Sequence, residues 1–323
     1  KDGKMWNIYA RRLLRYLSQV VEHKNDRSDQ FYRLCLIEKL FQDFSFYQKS
    51  LHDRFDDETW NTFIRIMIGI SDYLIQECAN SNDLKATNSR RKSLLVQTFL
   101  LTFEILINSG LKTKEIWSVF FEFCSKWSTN EFFLDAWRKE TLHLFENLLE
   151  LLYSNKPPSE NVLNMLGFHL HQFTFCIDTE ILMNHSRLFN NLTDLVEALS
   201  EKLRLKAEQV DGLYKPKPPS SIFFELFGHW CFNLHKIATV QYQTIIMKVL
   251  MSISGHWELT PEWSKVIYST ILTTVSEVNT QTMLVSIMRS GRHFFRQFIN
   301  NEVIDIFYQK ALICNPENIC KAF

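Results

Sequence analysis

Breakers are scarce in this chain: 8 glycines and 7 prolines punctuate 323 residues, and five of the prolines sit in two clusters, Pro157–Pro158 and Pro216–Pro219. So few glycines leave no loop to cradle a phosphate, and no GxxxxGK[ST], GxGxxG or GxSxG pattern occurs. Charge of one sign is missing as well. The 36 Lys+Arg balance 36 Asp+Glu, so no global field draws in nucleic acid or an anionic membrane. No run of 18 apolar residues is present, and no basic segment followed by an apolar one opens the chain. The seven cysteines (35, 78, 124, 176, 231, 314, 320) include no CxxC pair and lie mostly inside helical runs. Reduced, buried thiols of a cytoplasmic protein are the expectation.

What fills the chain is apolar residues at three- and four-residue spacing, in roughly thirteen or fourteen segments. That is about 46 residues per helix pair, inside the ~40–47 range of HEAT and armadillo repeats. The reading is an all-α chain, an α-solenoid of antiparallel helix pairs winding into a right-handed superhelix. Stacked repeats suit this length, because each packs only against its neighbours. The domain reading is N-terminal repeats over 1–155, middle repeats over 156–214, a proline-rich linker at 215–221 and C-terminal repeats over 222–323.

The segments are placed near 4–22, 30–51, 57–78, 94–108, 112–128, 130–154, 159–176, 179–208, 220–236, 239–254, 261–278, 280–298, 301–313 and 316–323. The first carries Trp6, Tyr9, Leu13, Leu17 and Val20 on one stripe. Residues 80–93 read as a polar loop ending in Arg90-Arg91-Lys92-Ser93. Thr113, Thr129, Ser159 and Thr179 read as N-caps, whose hydroxyls can accept free first-turn amides. Thr260-Pro261 and Asn315-Pro316 each place a cap residue before a proline at the first helical position. Trp60, Leu74, Trp117, Phe121, Trp137, Phe227, Trp230 and Trp263 are expected in the core.

Chemistry-bearing constellations are few. Asp56-Asp57-Glu58 raises a metal-dependent helical enzyme, but the carboxylate spacing is wrong, and an acidic first turn favoured by the helix dipole explains the residues more simply. His169 and His171 fall on different sides of a helix, and His229 and His235 are six apart, so neither pair suits a metal. Ser93, after three basic residues, is the candidate phosphorylation site. Pro216-Lys217-Pro218-Pro219 reads as a linker, with a short polyproline-II ligand as the sharper alternative. No catalytic, cofactor-binding or metal-binding residue is assigned, and no cofactor.

Several segments resemble, in order and spacing, the helical N-terminal region of Ral GTPase-activating protein β subunits and tuberin. Tyr32-Arg33-Leu34-Cys35-Leu36 comes first. Glu58-Thr59-Trp60, running on to Ile70-Ser71-Asp72-Tyr73-Leu74, follows. Ser125-Lys126-Trp127 is then paired with Phe133 and Trp137. Last, Pro219-Ser220-Ser221-Ile222 leads into Leu226-Phe227-Gly228-His229-Trp230. The order holds from about residue 1 to 310. Two departures accompany it. The proline-rich linker is short, and these residues have none of the strand content of a Rap-type GAP domain. The resemblance implies a non-catalytic, HEAT-like scaffold and dimerisation region of a GTPase-activating protein. Its implied partners are a homologous subunit, a second copy or the rest of a longer chain, and, through the full-length protein, a Ras-superfamily small GTPase. The alternative is an unrelated solenoid adaptor in trafficking or transport. The C-terminal helix near Asn315–Phe323 is expected to be the least well packed.

Overall fold

The computed structural model describes residues 2–22, 38–40, 42–43, 54–80, 85–154, 159–177, 186–209, 219–237, 240–256, 261–277, 305–306 and 309. Among these the long elements are all α-helices, and no strand occurs. They are α1 (Asp2–Glu22), α2 (Asp57–Asn80), α3 (Lys85–Ser109), α4 (Lys114–Trp127) and α5 (Glu131–Leu152), then α6 (Glu160–Thr174), α7 (Ser186–Gln209), α8 (Pro219–Ile237), α9 (Val240–His256) and α10 (Pro261–Glu277). The sequence-predicted caps at Thr179, Thr260 and Asn315, the C-terminal packing expectation and the helices placed beyond residue 278, apart from helical residues 305–306 and 309, lie outside the described residues.

The chain divides into two compact units: Lys1–Thr141 with Phe175–Asp178, and Leu142–Thr174 with Thr179–Phe323. In the first, α2 packs on α1, α3 and α4. In the second, α8 packs on α6 and α7, and α9 packs on α7, α8 and α10. Helices thus touch their sequence neighbours and the next but one, the local stacking of an α-solenoid.

Local chemistry explains the boundaries. Asp56 caps α2: its Oδ1 accepts the Thr59 amide at 2.8 Å. The acidic first turn is therefore part of a helix start, and Asp57 and Glu58 follow where the dipole favours them. Helix α3 ends at Gly110, whose φ of 64° closes the helix at little steric cost. Thr113 stands at the N-cap of α4 with extended backbone, but its hydroxyl makes no capping bond. At α5 the cap is Asn130 rather than Thr129, its Oδ1 accepting the amides of Phe132 at 3.0 Å and Phe133 at 3.1 Å. Pro261 is the first residue of α10, as read from the sequence.

Two expectations need correction. Residues 85–93 are not loop but the first turns of α3. No glycine or proline interrupts them, and a helix already nucleated by the apolar run from Leu94 propagates backward through Arg, Lys and Ala at little cost. The stripe of the first helix also differs. Its buried residues are Asn7, Ala10, Leu14 and Leu17, while Trp6, Tyr9, Leu13 and Val20 are exposed. Polar bonds hold that rotation: Asn7 Oδ1 accepts the Asp56 amide at 3.0 Å, and the Arg11 guanidinium lies 3.1 Å from the Asp56 carboxylate.

The core otherwise follows expectation. Trp60, Leu74, Trp117, Trp137, Phe227 and Trp230 are buried. Phe121 and Trp263 are half-buried, each with one face against neighbouring rings.

Candidate functional site

The motifs that are far apart in sequence meet in space, and they build packing centres rather than a reaction centre. In the first unit, Asp72 of α2 faces Lys126 and Trp127 at the end of α4. Lys126 Nζ lies 2.7 Å from the Asp72 carboxylate, and Trp127 Nε1 donates to Asp72 Oδ1 at 3.1 Å. Gln76, one turn on, donates to the same carboxylate at 2.9 Å. Burial alone would raise the Asp72 pKa, but the hydrogen bonds from Lys126 and Trp127 and the Lys126 charge outweigh it, so the carboxyl stays below its ordinary value.

Around this polar clasp sits an aromatic cluster. The Trp127 ring lies 5.3 Å from Phe99 of α3 and 5.8 Å from Phe133 of α5. Phe99 and Phe133 meet edge to face at 5.4 Å, and Phe103 joins Phe120 and Phe133 at 6.0 and 6.1 Å. Edge and tilted pairings of this kind add to the stabilisation from area alone. Lys126, Trp127 and Phe133 are thus the residues by which α4 and α5 close on α2 and α3.

At the other end of α2, Asp56 is spoken for by Thr59 and Arg11. Its carboxyl is also below the ordinary value, because those bonds and the Arg11 charge exceed the opposing effect of burial. Glu58 lies 3.3 Å from Arg11. Asp56 and Glu58 therefore join α1 to α2. Among the described residues no group of three or more His, Cys, Asp or Glu side chains could hold a metal ion.

The second unit shows the same use of its motif. Trp230 of α8 donates from Nε1 to the Thr174 carbonyl at 3.2 Å, tying α8 to the end of α6. Phe227 packs on Trp230 at 5.3 Å and on Phe145 at 5.2 Å. Gly228 faces the indole of Trp263 on α10. A Cβ there would lie 2.9 and 3.1 Å from two ring carbons. The glycine of Leu-Phe-Gly-His-Trp is thus a close approach of α10 to α8, a role that periodicity does not reveal.

Gly228→Ala gives a test. Alanine is intrinsically better in a helix by about 1 kcal/mol. Here the half-buried Trp263 indole lies tilted against Phe224 at 5.6 Å and stacks on Phe232 at 6.1 Å, contacts it would have to give up in order to yield. Overpacking of ~1–3 kcal/mol should win, and Gly228→Ala should destabilise. Adding Trp263→Leu should recover the loss relative to Trp263→Leu alone, in a urea double-mutant cycle. Additive effects would show that the two residues do not press on each other.

His169 is buried and His171 exposed on α6. His229 is held below its ordinary pKa by burial first and by the nearby His171 second. His235 Nε2 meets Thr274 Oγ1 at 2.8 Å, joining α8 to α10. Cys124, Cys176 and Cys231 are buried free thiols, and Cys78 is half-buried. Burial, followed by a bond to Cys176, pushes the Cys124 thiol far up, and burial pushes Cys231 up to about 12. Such thiols are poor nucleophiles. Cys35, Cys314 and Cys320 lie outside the described residues, as does the Pro216–Pro218 stretch. Ser93 is exposed on α3. No helix among the described residues is long and apolar enough to cross a membrane.

Comparison with curated proteins and with solved structures gives no match. Against protein families, residues 29–155, roughly two-fifths of the chain, match the family model described as RALGAPB N-terminal domain. The matched span contains the Asp72–Trp127 clasp and its aromatic cluster, while the Leu226–Trp230 motif lies beyond it. Over residues 29–155, then, this chain is similar to the N-terminal domain of RALGAPB, the β-subunit family that its motifs resemble.

Proposed function

We propose that this chain is a non-catalytic, HEAT-like scaffold and dimerisation region of a Rap/Ral-type GTPase-activating protein, one that regulates a Ras-superfamily small GTPase in the cytoplasm. The observation that carries the reading is the match of residues 29–155 to the RALGAPB N-terminal domain. The helical packing supports it: the motif residues are spent on joining helices, as in a scaffold. GTPase activation needs a group preorganised against the γ-phosphate, with accelerations on the order of 10³–10⁵ for the arginine-finger class. In this reading that group belongs to another part of the full-length protein or to its complex.

Single-turnover GTP hydrolysis by Rap-, Ral- and Rheb-type GTPases tests the first half. The purified chain should accelerate none of them, and stimulation above tenfold would contradict the reading. Light scattering tests the second half. A dimer formed by apolar helix faces should persist at about 0.5 M NaCl, where screening acts within ~5 Å. A salt-labile or strictly monomeric chain would remove dimerisation from the proposal. Ser93, exposed after Arg90-Arg91-Lys92, belongs to the same proposal as a phosphorylation site, to be checked by phosphopeptide mass spectrometry.

A further inference from the structure

Two thiols far apart in sequence meet inside the first unit. Cys124 lies on α4, and Cys176 lies just past the end of α6. Their side chains are hydrogen-bonded to each other, and both are sealed from water, at 0 and 1% exposure. The segment Phe175–Asp178 belongs to the first unit, although α6 before it belongs to the second. The chain thus returns to α4 for a few residues, and the cysteine pair is a point of that return. Two sulfurs alone do not make a zinc site, and no group of three or more ligating side chains occurs among the described residues.

The two sulfurs have different settings. Cys124 is inside a regular helix, so exposing it means unwinding α4. Cys176 stands on a bend beyond Thr174, the last residue of α6. Its neighbour Phe175 is 53% exposed. A bend without a helical ladder opens locally at lower cost than a helix interior. Cys176 is therefore the sulfur that an oxidant can reach, and Cys124 is the fixed partner it returns to.

We infer that Cys124 and Cys176 form a peroxide-responsive dithiol whose disulfide pins the segment after α6 to α4. The sulfur of Cys176 attacks hydrogen peroxide, giving a sulfenic acid and one water. The sulfur of Cys124 then attacks the sulfenic sulfur; the S–O bond breaks, and the Cys124 proton leaves with the hydroxyl as a second water. Two thiols lose two electrons, and one peroxide becomes two waters. Burial slows the step in both directions. Oxidation waits for the bend to open, and the finished bridge is shielded from glutathione by the same packing. In the reducing cytoplasm proposed above, the resting form is the dithiol. The inference does not rest on the GTPase assignment.

The test treats purified chain 1–323 with millimolar hydrogen peroxide, blocks remaining thiols with N-ethylmaleimide and maps bridges by non-reducing peptide mass spectrometry. Cys124–Cys176 should be the main bridge within the chain, and low urea that leaves the fold intact should speed its formation. The bridge closes a loop of roughly 50 residues, so oxidation should raise the urea midpoint of the first unit by about 0.5 M or more. Cys124→Ala and Cys176→Ala should each abolish the bridge and the rise, whereas Cys231→Ala should keep both. Each variant is compared with its own reduced form, so the cost of the alanine cancels. Four results would overturn the inference: no bridge while half-buried Cys78 is oxidised; a bridge from either cysteine to a different one; a bridge that forms only in denaturing urea; or an oxidised midpoint no higher than the reduced one.

Discussion

Replacing Trp127 by alanine should cost about 3–5 kcal/mol, the range for deleting a large buried aromatic side chain. Trp127 is 1% exposed and touches rings from α3 and α5 as well as Phe123 of its own helix, so no neighbour can collapse into the space without moving a helix. Its indole N–H also binds Asp72. Trp127→Phe separates the two contributions. It keeps most of the ring and drops the N–H, while Lys126 and Gln76 still satisfy the Asp72 carboxylate. It should cost less than half as much as alanine. Because solenoid stability is a sum of local terms, the loss should fall on residues 1–141 first. Urea unfolding combined with hydrogen exchange resolved by segment is the measurement. A uniform loss of protection across both units, or a Trp127→Phe cost equal to that of alanine, would contradict this account.

A second large effect is expected at Glu140, and it depends on pH. Glu140 of α5 is 8% exposed, and its pKa is raised from an ordinary 4.5 to about 7. Burial is the main cause; the charge of Glu104 on α3 adds to it, and Lys139 offsets part. Between pH 4.5 and 7 the folded chain keeps a proton that the unfolded chain has released. Stability from this group therefore falls as pH rises through that window, and above it the loss is complete. Glu140→Gln has nearly the same shape and no charge. It should be more stable than the parent above pH 7, by on the order of 2–3 kcal/mol, and should differ little from it near pH 4.5. Glu104→Gln should give part of the gain. Chemical denaturation of both variants from pH 4.5 to 8 decides it. Parallel profiles for variant and parent would mean that Glu140 is solvated.

Helicity was legible because breakers are rare and apolar spacing persists; neither depends on what a helix packs against. The start of α2 at Asp57 and of α10 at Pro261 followed from local rules, since a carboxylate cap and a first-position proline act within one turn. The resemblance to the Ral GTPase-activating protein β region also rested on sequence order alone, and the family match over 29–155 agrees with it.

What the sequence left open were choices between equivalent local answers. Helix α1 carries two apolar stripes of similar quality, and periodicity cannot rank them. Asn7 and Arg11 select the buried one by their bonds to residues near position 56, a contact across more than forty residues. Asn130 rather than Thr129 caps α5, because the exit of α4 sets which side chain reaches the free amides. Gly228 takes on its role only where α10 brings Trp263 against it. The pairing of Asp72 with Lys126 and Trp127 is likewise invisible to any local window. Short-range physics determined the elements. Which face each element buries was decided by long-range polar contacts and ring packing that exist only once the helices have stacked.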